Sequence, residues 1–363
     1  MRACFLLCFL VVCGARDANR NGSISASVAP AFFNPTLGQS AKLKLAIPVS
    51  GLLSVQVIDR DGFSVTSLVH DRRVSAGPVE LQWTGRDAKG NVVPDEAYSV
   101  RADLRTARGL LTYFPAAAPA PMYDVPVTSY DRREGSLTYT LPKPSRVHIQ
   151  AGTAKRDPIT KDLEGPVMKT IVDREPRSAG SIVEMWDGMA EGGEVVVPAL
   201  PDFVTGVACT PLPDSSFITV GNRSTTFREY ARKRTGKSLL TATGTGAAHS
   251  GLNSLEDFSP ALTLRLTPGA NPTTYGVQVD APANDAAVLG RHGGTVYCFV
   301  DGRRSLSMPA RSLPFTLNIP GEDLTPGPHV LTVNWATGHG PTAVGVLRVV
   351  SPQPAPKTAE IAR

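Results

Sequence analysis

The stretch AGPVELQWTGRDAKGNVV, residues 76–93, decides the fold of this chain, because much of it recurs as AGSIVEMWDGMAEGGEVV at residues 179–196. The two stretches align at one constant offset of 103 residues, which also aligns residues 65–69 with residues 168–172. The aligned tryptophans and glycines are Gly77, Trp83, Gly85 and Gly90 in the first stretch and Gly180, Trp186, Gly188 and Gly193 in the second. The sequence therefore predicts a duplicated module.

These eight aligned residues are predicted to form a structural core motif. Tryptophan supplies a large apolar side chain for a core, and glycine permits backbone turns that a Cβ atom would obstruct. Aromatic faces in sandwich modules can also stack on carbohydrate, which is the alternative for Trp83 and Trp186. Their identical placement in two otherwise divergent copies favours the core.

Alternating apolar and polar residues surround the motif. Residues 43–47 and 53–59 alternate with period two, and residues 65–69 and 97–104 resume the pattern after turn residues. This alternation is typical of strands with one buried face. The chain has 33 glycines and 31 prolines among 363 residues, which favours short strands and turns. We predict an all-β fold of tandem immunoglobulin-like antiparallel β-sandwiches joined by Pro/Gly-rich linkers.

Shifts in composition divide the chain into segments. The run PAAAPAP at residues 115–121 is typical of a stiff linker, and the stretch FREYARKR at residues 227–234 predicts a short basic helix. The predicted segments are a signal peptide at 1–15, a disordered lead-in at 16–35, a first module at 36–114, a linker at 115–130, a second module at 131–222, a basic connector at 223–257, a third domain at 258–351 and a disordered tail at 352–363.

The N-terminus has the pattern of an export signal. One arginine precedes an apolar run at residues 3–13 and then small residues, which predicts cleavage after Ala15 and a periplasmic, outer-surface or extracellular location. A lipid anchor at Cys13 is the weaker alternative, because Val12 occupies a position that requires a small residue. No later stretch has the apolar length of a membrane span, and a formal charge of +5 over this length indicates no nucleic-acid partner.

The first module resembles a known family. VQVID at residues 55–59, WTGRD at residues 83–87 and Tyr98 are similar to the immunoglobulin-like module of the flagellar hook-capping protein family. The resemblance covers roughly residues 40–104 and departs at Thr84, where the family usually has Asp, and at residues 96–97, where Gly usually precedes Tyr. It implies a small sandwich similar to fibronectin type III, a module also found in many exported bacterial proteins. The second module is a weaker second copy, in which the motif returns as WDG at residues 186–188.

The third domain resembles a different group. Residues 300–302, 314–317 and 327–333 are similar to bacterial immunoglobulin-like domains of adhesins and cell-wall proteins. Its tryptophan, Trp335, lies in an alternating stretch and is predicted to be a core residue.

Motifs for catalysis and ligand binding are incomplete. ARKRTGKS at residues 231–238 nearly matches a phosphate-binding loop, but Ala231 replaces the first glycine, which favours a solvated connector over an anion-binding segment. DRDG at residues 59–62 begins like a calcium loop without the later acidic ligands and predicts a hairpin turn. The two cysteines beyond the leader, Cys209 and Cys298, could form one disulfide in an oxidising compartment, but their positions in different modules favour two small buried residues. We therefore predict no catalytic residue, cofactor or metal.

The leading functional hypothesis is an exported, non-enzymatic multi-module protein that interacts with a protein or cell-envelope partner at the surface or in the periplasm. The first alternative is a flagellar hook-assembly factor, which the export leader opposes because hook-capping proteins leave through the flagellar apparatus. The second is an enzyme or a carbohydrate-binding accessory protein with a site in the atypical loops of residues 223–294 or in the third domain, where Trp335 would stack on a sugar. The sequence does not identify the partner.

Overall fold

The computed structural model describes residues 22–117, 121–156, 163–242, 258–271, 273–337 and 342–351. In these residues the strands form three antiparallel immunoglobulin-like β-sandwiches, which confirms the predicted all-β fold class. None of the helices in the described ranges is long and apolar enough to cross a membrane. Single-turn 3-10 helices occur at Pro35–Leu37, Pro115–Ala117, Val197–Ala199 and Gly321–Asp323.

The first sandwich contains the first tryptophan motif. Its strands are β1 (Ser25–Ala29), β2 (Phe32–Phe33), β3 (Ala41–Ile47), β4 (Gly51–Ile58), β5 (Ser64–Val74), β6 (Gly77–Trp83), β7 (Ala97–Thr106) and β8 (Gly109–Tyr113). One sheet has the order β1-β3-β6, and the facing sheet contains β7, β4 and β5 with β8 beside β7. Every second residue of β3 is buried, which confirms the period-two pattern.

The second sandwich repeats this layout. Its strands are β9 (Tyr123–Val125), β10 (Val127–Asp131), β11 (Ser136–Leu141), β12 (Ser145–Thr153), β15 (Val167–Arg177), β16 (Gly180–Met185) and β17 (Phe203–Pro211), and the short pair β13 (Lys155–Arg156) and β14 (Leu163–Glu164) forms a separate hairpin. The sheets have the orders β10-β11-β16 and β15-β12-β17-β9. The pairing of β11 with β16 corresponds to that of β3 with β6 in the first sandwich.

The chain then returns to the first sandwich. Strand β18 (Phe217–Thr219) pairs with β7 in the antiparallel sense and with β2 in the parallel sense. Helices α1 (Phe227–Lys233) and α2 (Leu239–Ala242) follow. The predicted end of the second module at residue 222 is therefore wrong, because the side chain of Phe217 is buried in the core of the first sandwich.

The third sandwich follows α2. It contains β19 (Thr263–Pro268), β20 (Thr274–Asp280), α3 (Ala283–His292), β21 (Gly294–Val300), β22 (Arg303–Ala310), β23 (Phe315–Pro320), β24 (Gly327–Ala336) and β25 (Thr342–Ser351). The strands form the sheets β19-β20-β23 and β22-β21-β24-β25. Trp335 lies in their shared core with no exposed surface, as predicted.

Two further predicted boundaries are wrong. The described part of the lead-in at 16–35 contains β1 and β2, and β1 pairs along its whole length with β3. The linker at 115–130 contains β9 and most of β10, which join both sheets of the second sandwich. Both segments are short and weakly apolar, so backbone pairing with a partner strand makes them extended. The signal peptide at 1–15, with Cys13, and the tail at 352–363 lie outside the described residues, and the other boundaries stay predictions.

Candidate functional site

The two predicted tryptophan motifs form the same local structure. The indole Nε1 of Trp83 donates a hydrogen bond to the carbonyl of Arg86 at 2.9 Å, and Nε1 of Trp186 donates to the carbonyl of Met189 at 3.0 Å. All six aligned glycines have positive φ angles: 128° at Gly77, 68° at Gly85, 84° at Gly90, 104° at Gly180, 78° at Gly188 and 75° at Gly193. Glycine adopts this conformation at little cost, so each motif specifies a turn.

Gly85 illustrates a second requirement of the motif. A Cβ atom at this position would lie 2.5 Å from Cγ of Pro35, a residue of the segment that precedes β3. At Gly188 the nearest atom to such a Cβ would be the hydroxyl oxygen of Tyr130, at 2.9 Å. The glycine after each tryptophan therefore lets another segment pack closely against the turn.

The tryptophan side chains lie in cores. Trp83 is 3% exposed and makes edge-to-face contacts with Phe33, Tyr98 and Phe217 at centroid distances of 5.8, 5.2 and 5.0 Å. Trp186 is also buried. Neither side chain offers a face to a ligand, which agrees with the core interpretation.

The third tryptophan does not fit the carbohydrate-stacking alternative. Trp335 is 0% exposed, and its Nε1 donates to the carbonyl of Gly293 at 3.1 Å. A stacking residue needs an accessible face, so a sugar site built on Trp335 is wrong.

The basic segment after β18 is bound to the first sandwich and is not a solvated connector. The guanidinium of Arg234 pairs with Asp59 at 2.6 Å and with Asp61, and lies 3.9 Å from the ring centroid of Phe63. Residues 59–62 form the predicted turn between β4 and β5, where the amide of Gly62 donates to the carbonyl of Asp59 at 3.0 Å. A cation from the distant connector thus neutralises the two carboxylates that resembled a calcium loop.

This acidic turn is strongly buried. The side chain of Asp59 is 1% exposed, and its Oδ1 accepts hydrogen bonds from the amides of Asp61 and Phe63, both at 2.9 Å. Burial raises the pKa of Asp59 to about 6, although Arg234 and the amide of Phe63 act in the opposite direction. Asp59 therefore titrates near pH 6.

A capping box defines the start of α1. The hydroxyl of Thr226 accepts from the amide of Glu229 at 3.2 Å, and the carboxylate of Glu229 accepts from the amide of Thr226 at 2.9 Å. The helix buries Phe227 and Ala231 against the first core. The near match to a phosphate-binding loop therefore runs through a packed helix, and its Ala231 is a core residue.

A buried ion cluster joins the first and second sandwiches. Arg146 of β12 donates to the carboxylate of Glu96, and its second guanidinium nitrogen donates to the carbonyl of Ala97 at 3.1 Å. Arg60 approaches the other oxygen of Glu96 at 3.5 Å. The side chain of Glu96 is 4% exposed, so these two cations provide charge compensation that water cannot supply there.

The second and third sandwiches share both polar and apolar contacts. The side chain of Asn334 accepts from the amide of Val167 at 2.9 Å and donates to the carbonyl of the same residue at 2.7 Å. Val344 and Val346 of β25 belong to the hydrophobic cluster that contains Trp186. The core around the second motif therefore includes residues of the third sandwich.

Residues Phe258 and Ser259, which precede β19, and Arg228 of α1 add contacts among all three sandwiches. Arg228 of α1 pairs with Asp285 of α3 at 3.1 Å and covers the ring of Phe258 at 3.4 Å. The amide of Ser259 donates to Asp173 of β15 at 2.7 Å. Sequence reasoning missed these partners, because each pair couples positions far apart in the chain and neither member has a distinctive local pattern.

Cavities lie at these junctions. A cleft of about 490 Å³ lies between the first two sandwiches and α1, and four of its five lining arginines are paired with acids, while the fifth, Arg223, is exposed: Arg60 pairs with Glu96, Arg174 with Asp173, Arg177 with Glu184 and Arg228 with Asp285. A cavity of about 200 Å³ lies between Met168 and Leu200 of the second sandwich and Val330 of the third. Most charges of the cleft are compensated by ion pairs within the chain, so the cleft does not by itself define an anion site.

His329 is buried at the edge of another cavity of this junction, of about 360 Å³, and both of its ring nitrogens are engaged. Its Nδ1 lies 2.7 Å from Asp301 Oδ2, and its Nε2 lies 2.7 Å from the carbonyl of Thr325. Both partners are acceptors, so only the doubly protonated ring satisfies both contacts. Burial opposes this charge, but the bonds to Asp301 and Thr325 raise the pKa of His329 above its ordinary value. The ring has no free nitrogen for acid–base catalysis.

The cysteines are buried and unpaired, as predicted. Burial raises the pKa of Cys209 to about 11 and that of Cys298 to about 12, so both thiols stay protonated at neutral pH. Within the described ranges, no cluster of His, Cys, Asp and Glu side chains could hold a metal ion.

Comparison with known proteins gives structural similarities alone. No protein-family model and no curated protein matches the chain. FLGD from P. aeruginosa is 26% identical over 32% of this chain and 78% of its own, with a TM-score of 0.20. The central fibronectin-III array of RIM-binding protein is 10% identical over 87% and 93%, with a TM-score of 0.21. A bacterial ice-binding adhesin is 12% identical over 91% and 97%, with a TM-score of 0.20. At such TM-scores these similarities carry no functional argument.

Proposed function

We propose that this chain is an exported, non-enzymatic scaffold that holds three immunoglobulin-like sandwiches in a fixed arrangement for interaction with a protein or envelope partner at the cell surface or in the periplasm. The observation that carries the proposal is the bridging of sandwiches by buried contacts, above all Arg146 with Glu96 and Asn334 with Val167. Flexibly tethered modules do not need such contacts. A fixed arrangement presents one continuous surface that spans several modules.

The first two sandwiches are proposed to be copies of one module related to the hook-capping family. The shared hydrogen bond from each indole to the carbonyl three residues later supports this relationship. The eight motif residues would then be the folding signature of the module. Partner specificity would lie where the copies differ.

Cell fractionation tests the export part of the proposal. The full chain with a C-terminal tag should be found outside the cytoplasm, with a mature N-terminus at Arg16, and a variant lacking residues 1–15 should stay in the cytoplasm. A full chain that stays in the cytoplasm with its N-terminus intact would overturn export.

Cross-linking in intact cells tests the scaffold part. A partner should cross-link to the wild-type chain and to Lys44→Met, an exposed control, but less to Arg146→Met, which breaks the junction while leaving each sandwich surface unchanged. Equal cross-linking by all three would show that the fixed arrangement is not needed. A monomeric chain without any cross-linked partner would contradict the interaction role.

A further inference from the structure

The outer face of β16 has an unusual composition for an edge strand. Among the described residues β16 pairs with β11 alone, at the end of the sheet β10-β11-β16. Its outward side chains are Ser181, Val183 and Met185, and the last two are 57% and 70% exposed. An unpaired strand edge with exposed apolar side chains is a template for pairing with another strand.

The equivalent edge of the first sandwich is protected. At the offset of 103 residues, Val183 corresponds to Glu80 and Met185 to Gln82. Glu80 on β6 lies 3.5 Å from Lys44 of β3, so the outer face of that edge carries charges of both signs. Charged side chains are a common device against edge-to-edge association. The second sandwich lacks this device at the positions where the first one has it.

The strand beside β16 adds no charge to this face. Its outward residues Ser136 and Thr138 lie opposite Met185 and Val183 in the pairing of β11 with β16. The only charged side chain of β16 is Glu184, which points to the other face and pairs with Arg177 at 2.6 Å. The edge is therefore neutral on its outer side, and its one charge is compensated within the same chain.

We propose that β16 is a self-association edge that pairs in the antiparallel sense with β16 of a second copy of this chain. A twofold axis at Val183 would place Val183 beside its counterpart and Met185 beside Ser181 of the other copy. Glu184 would lie opposite Ile182, so no like charges would meet. The strand is thus its own complement, and the two three-stranded sheets would form one continuous six-stranded sheet.

The size of the edge sets the expected affinity. Five paired residues, 181–185, span about 17 Å, and such a contact buries less surface than a typical stable interface. We therefore expect a weak dimer with a dissociation constant on the order of 100 μM.

Sedimentation velocity over about 5–1,000 μM of the purified chain tests the proposal across this weak-affinity range. The wild-type chain should shift from monomer to dimer, and the double variant Val183→Glu/Met185→Gln, which copies the first sandwich, should remain monomeric. Leu110→Glu, which changes an exposed leucine on β8, should dimerise like the wild-type chain. Far-UV circular dichroism checks that each variant is folded.

Three results would overturn the proposal: a wild-type chain that is monomeric at all concentrations, a double variant that dimerises like the wild-type chain, or an equal loss of dimer in Leu110→Glu. The inference does not depend on export or on a partner. Its failure would leave the proposed scaffold role standing, and failure of the fractionation experiment would leave the dimer standing.

Discussion

The two tryptophan turns are nearly identical in themselves and are covered in different ways. Trp83 packs against aromatic rings of its own sandwich and against Phe217, which the chain supplies after completing the second sandwich. Trp186 packs beside Tyr130 and Phe203, with centroid distances of 5.5 and 6.2 Å. Its cluster continues into the third sandwich.

This difference shows that the motif specifies the turn, whereas other segments determine what packs on it. The tryptophan and its glycines specify a turn that exposes an apolar region at one end of the sandwich. The first copy covers this region with β18 and α1, and the second copy covers it with β25. The segments that pack on each turn also come from other parts of the chain. Each tryptophan turn is therefore a place where one sandwich contacts a segment that lies outside it.

The largest expected effect comes from removing the tryptophans. Trp83→Ala should reduce the free energy of unfolding by about 3–5 kcal/mol, because it leaves a cavity among three rings. Trp186→Ala should lie at the lower end of this range, because fewer rings surround it. Urea denaturation followed by circular dichroism measures both values. A larger loss for Trp186→Ala would contradict the comparison.

Removing the guanidinium of Arg234 from the acidic turn of the first sandwich should have the next largest effect. Arg234→Met removes the cation that pairs with the buried carboxylate of Asp59 and should cost about 3–5 kcal/mol in the free energy of unfolding. Lys44→Met breaks the exposed pair with Glu80 and should cost less than about 1 kcal/mol. Chemical denaturation of both variants measures the ratio, and equal costs would show that the connector is not anchored there.

The acidic turn should also make the first copy sensitive to pH. Asp59 has a pKa of about 6 when folded, against an ordinary value of 3.8, so the folded chain binds more protons between these values. Its contribution to the free energy of unfolding therefore decreases as pH rises from about 4 to about 6, by up to about 3 kcal/mol. Denaturation of wild type and Asp59→Asn across this range should differ by that slope. Parallel pH profiles would contradict the raised pKa.

A smaller and more local effect is expected where β25 packs against the Trp186 turn of the second sandwich. Val346→Ala should cost about 1–2 kcal/mol and increase hydrogen exchange at residues 186–197, because it loosens the third sandwich from the Trp186 turn. Residues 83–94 should be unaffected. Val277→Ala, in the third core away from this contact, is the control. Equal hydrogen exchange at residues 186–197 in both variants would show that the contact of Val346 with the Trp186 turn affects this segment only through global stability.

Local patterns predicted much of this structure. The strands around both tryptophans and the turn at residues 59–62 follow from alternation and turn residues, and the short basic helix and the buried cysteines follow from residue type. The membership of Phe217 in the first core could not be predicted. A three-residue apolar strand has no periodicity, and sequence order alone assigned it to the module just completed.

The junctions escaped sequence reasoning for the same reason. Arg146, Glu96 and Asn334 are ordinary surface residue types within strands or loops, and their partners lie at distant positions in the chain. Burial makes their contacts specific, because a charged or amide group that is removed from water is destabilising unless it is paired or hydrogen-bonded. Only the arrangement of whole sandwiches brings those complements together.

The sequence by itself determined the class of fold and the two tryptophan turns, because side-chain alternation and glycine conformations are local properties of the chain. The tertiary structure alone decided which segments cover each turn, how the acidic loop is neutralised and which edge strand is left without charge. These outcomes depend on contacts between residues far apart in sequence, whose energies arise only when burial removes water from both partners.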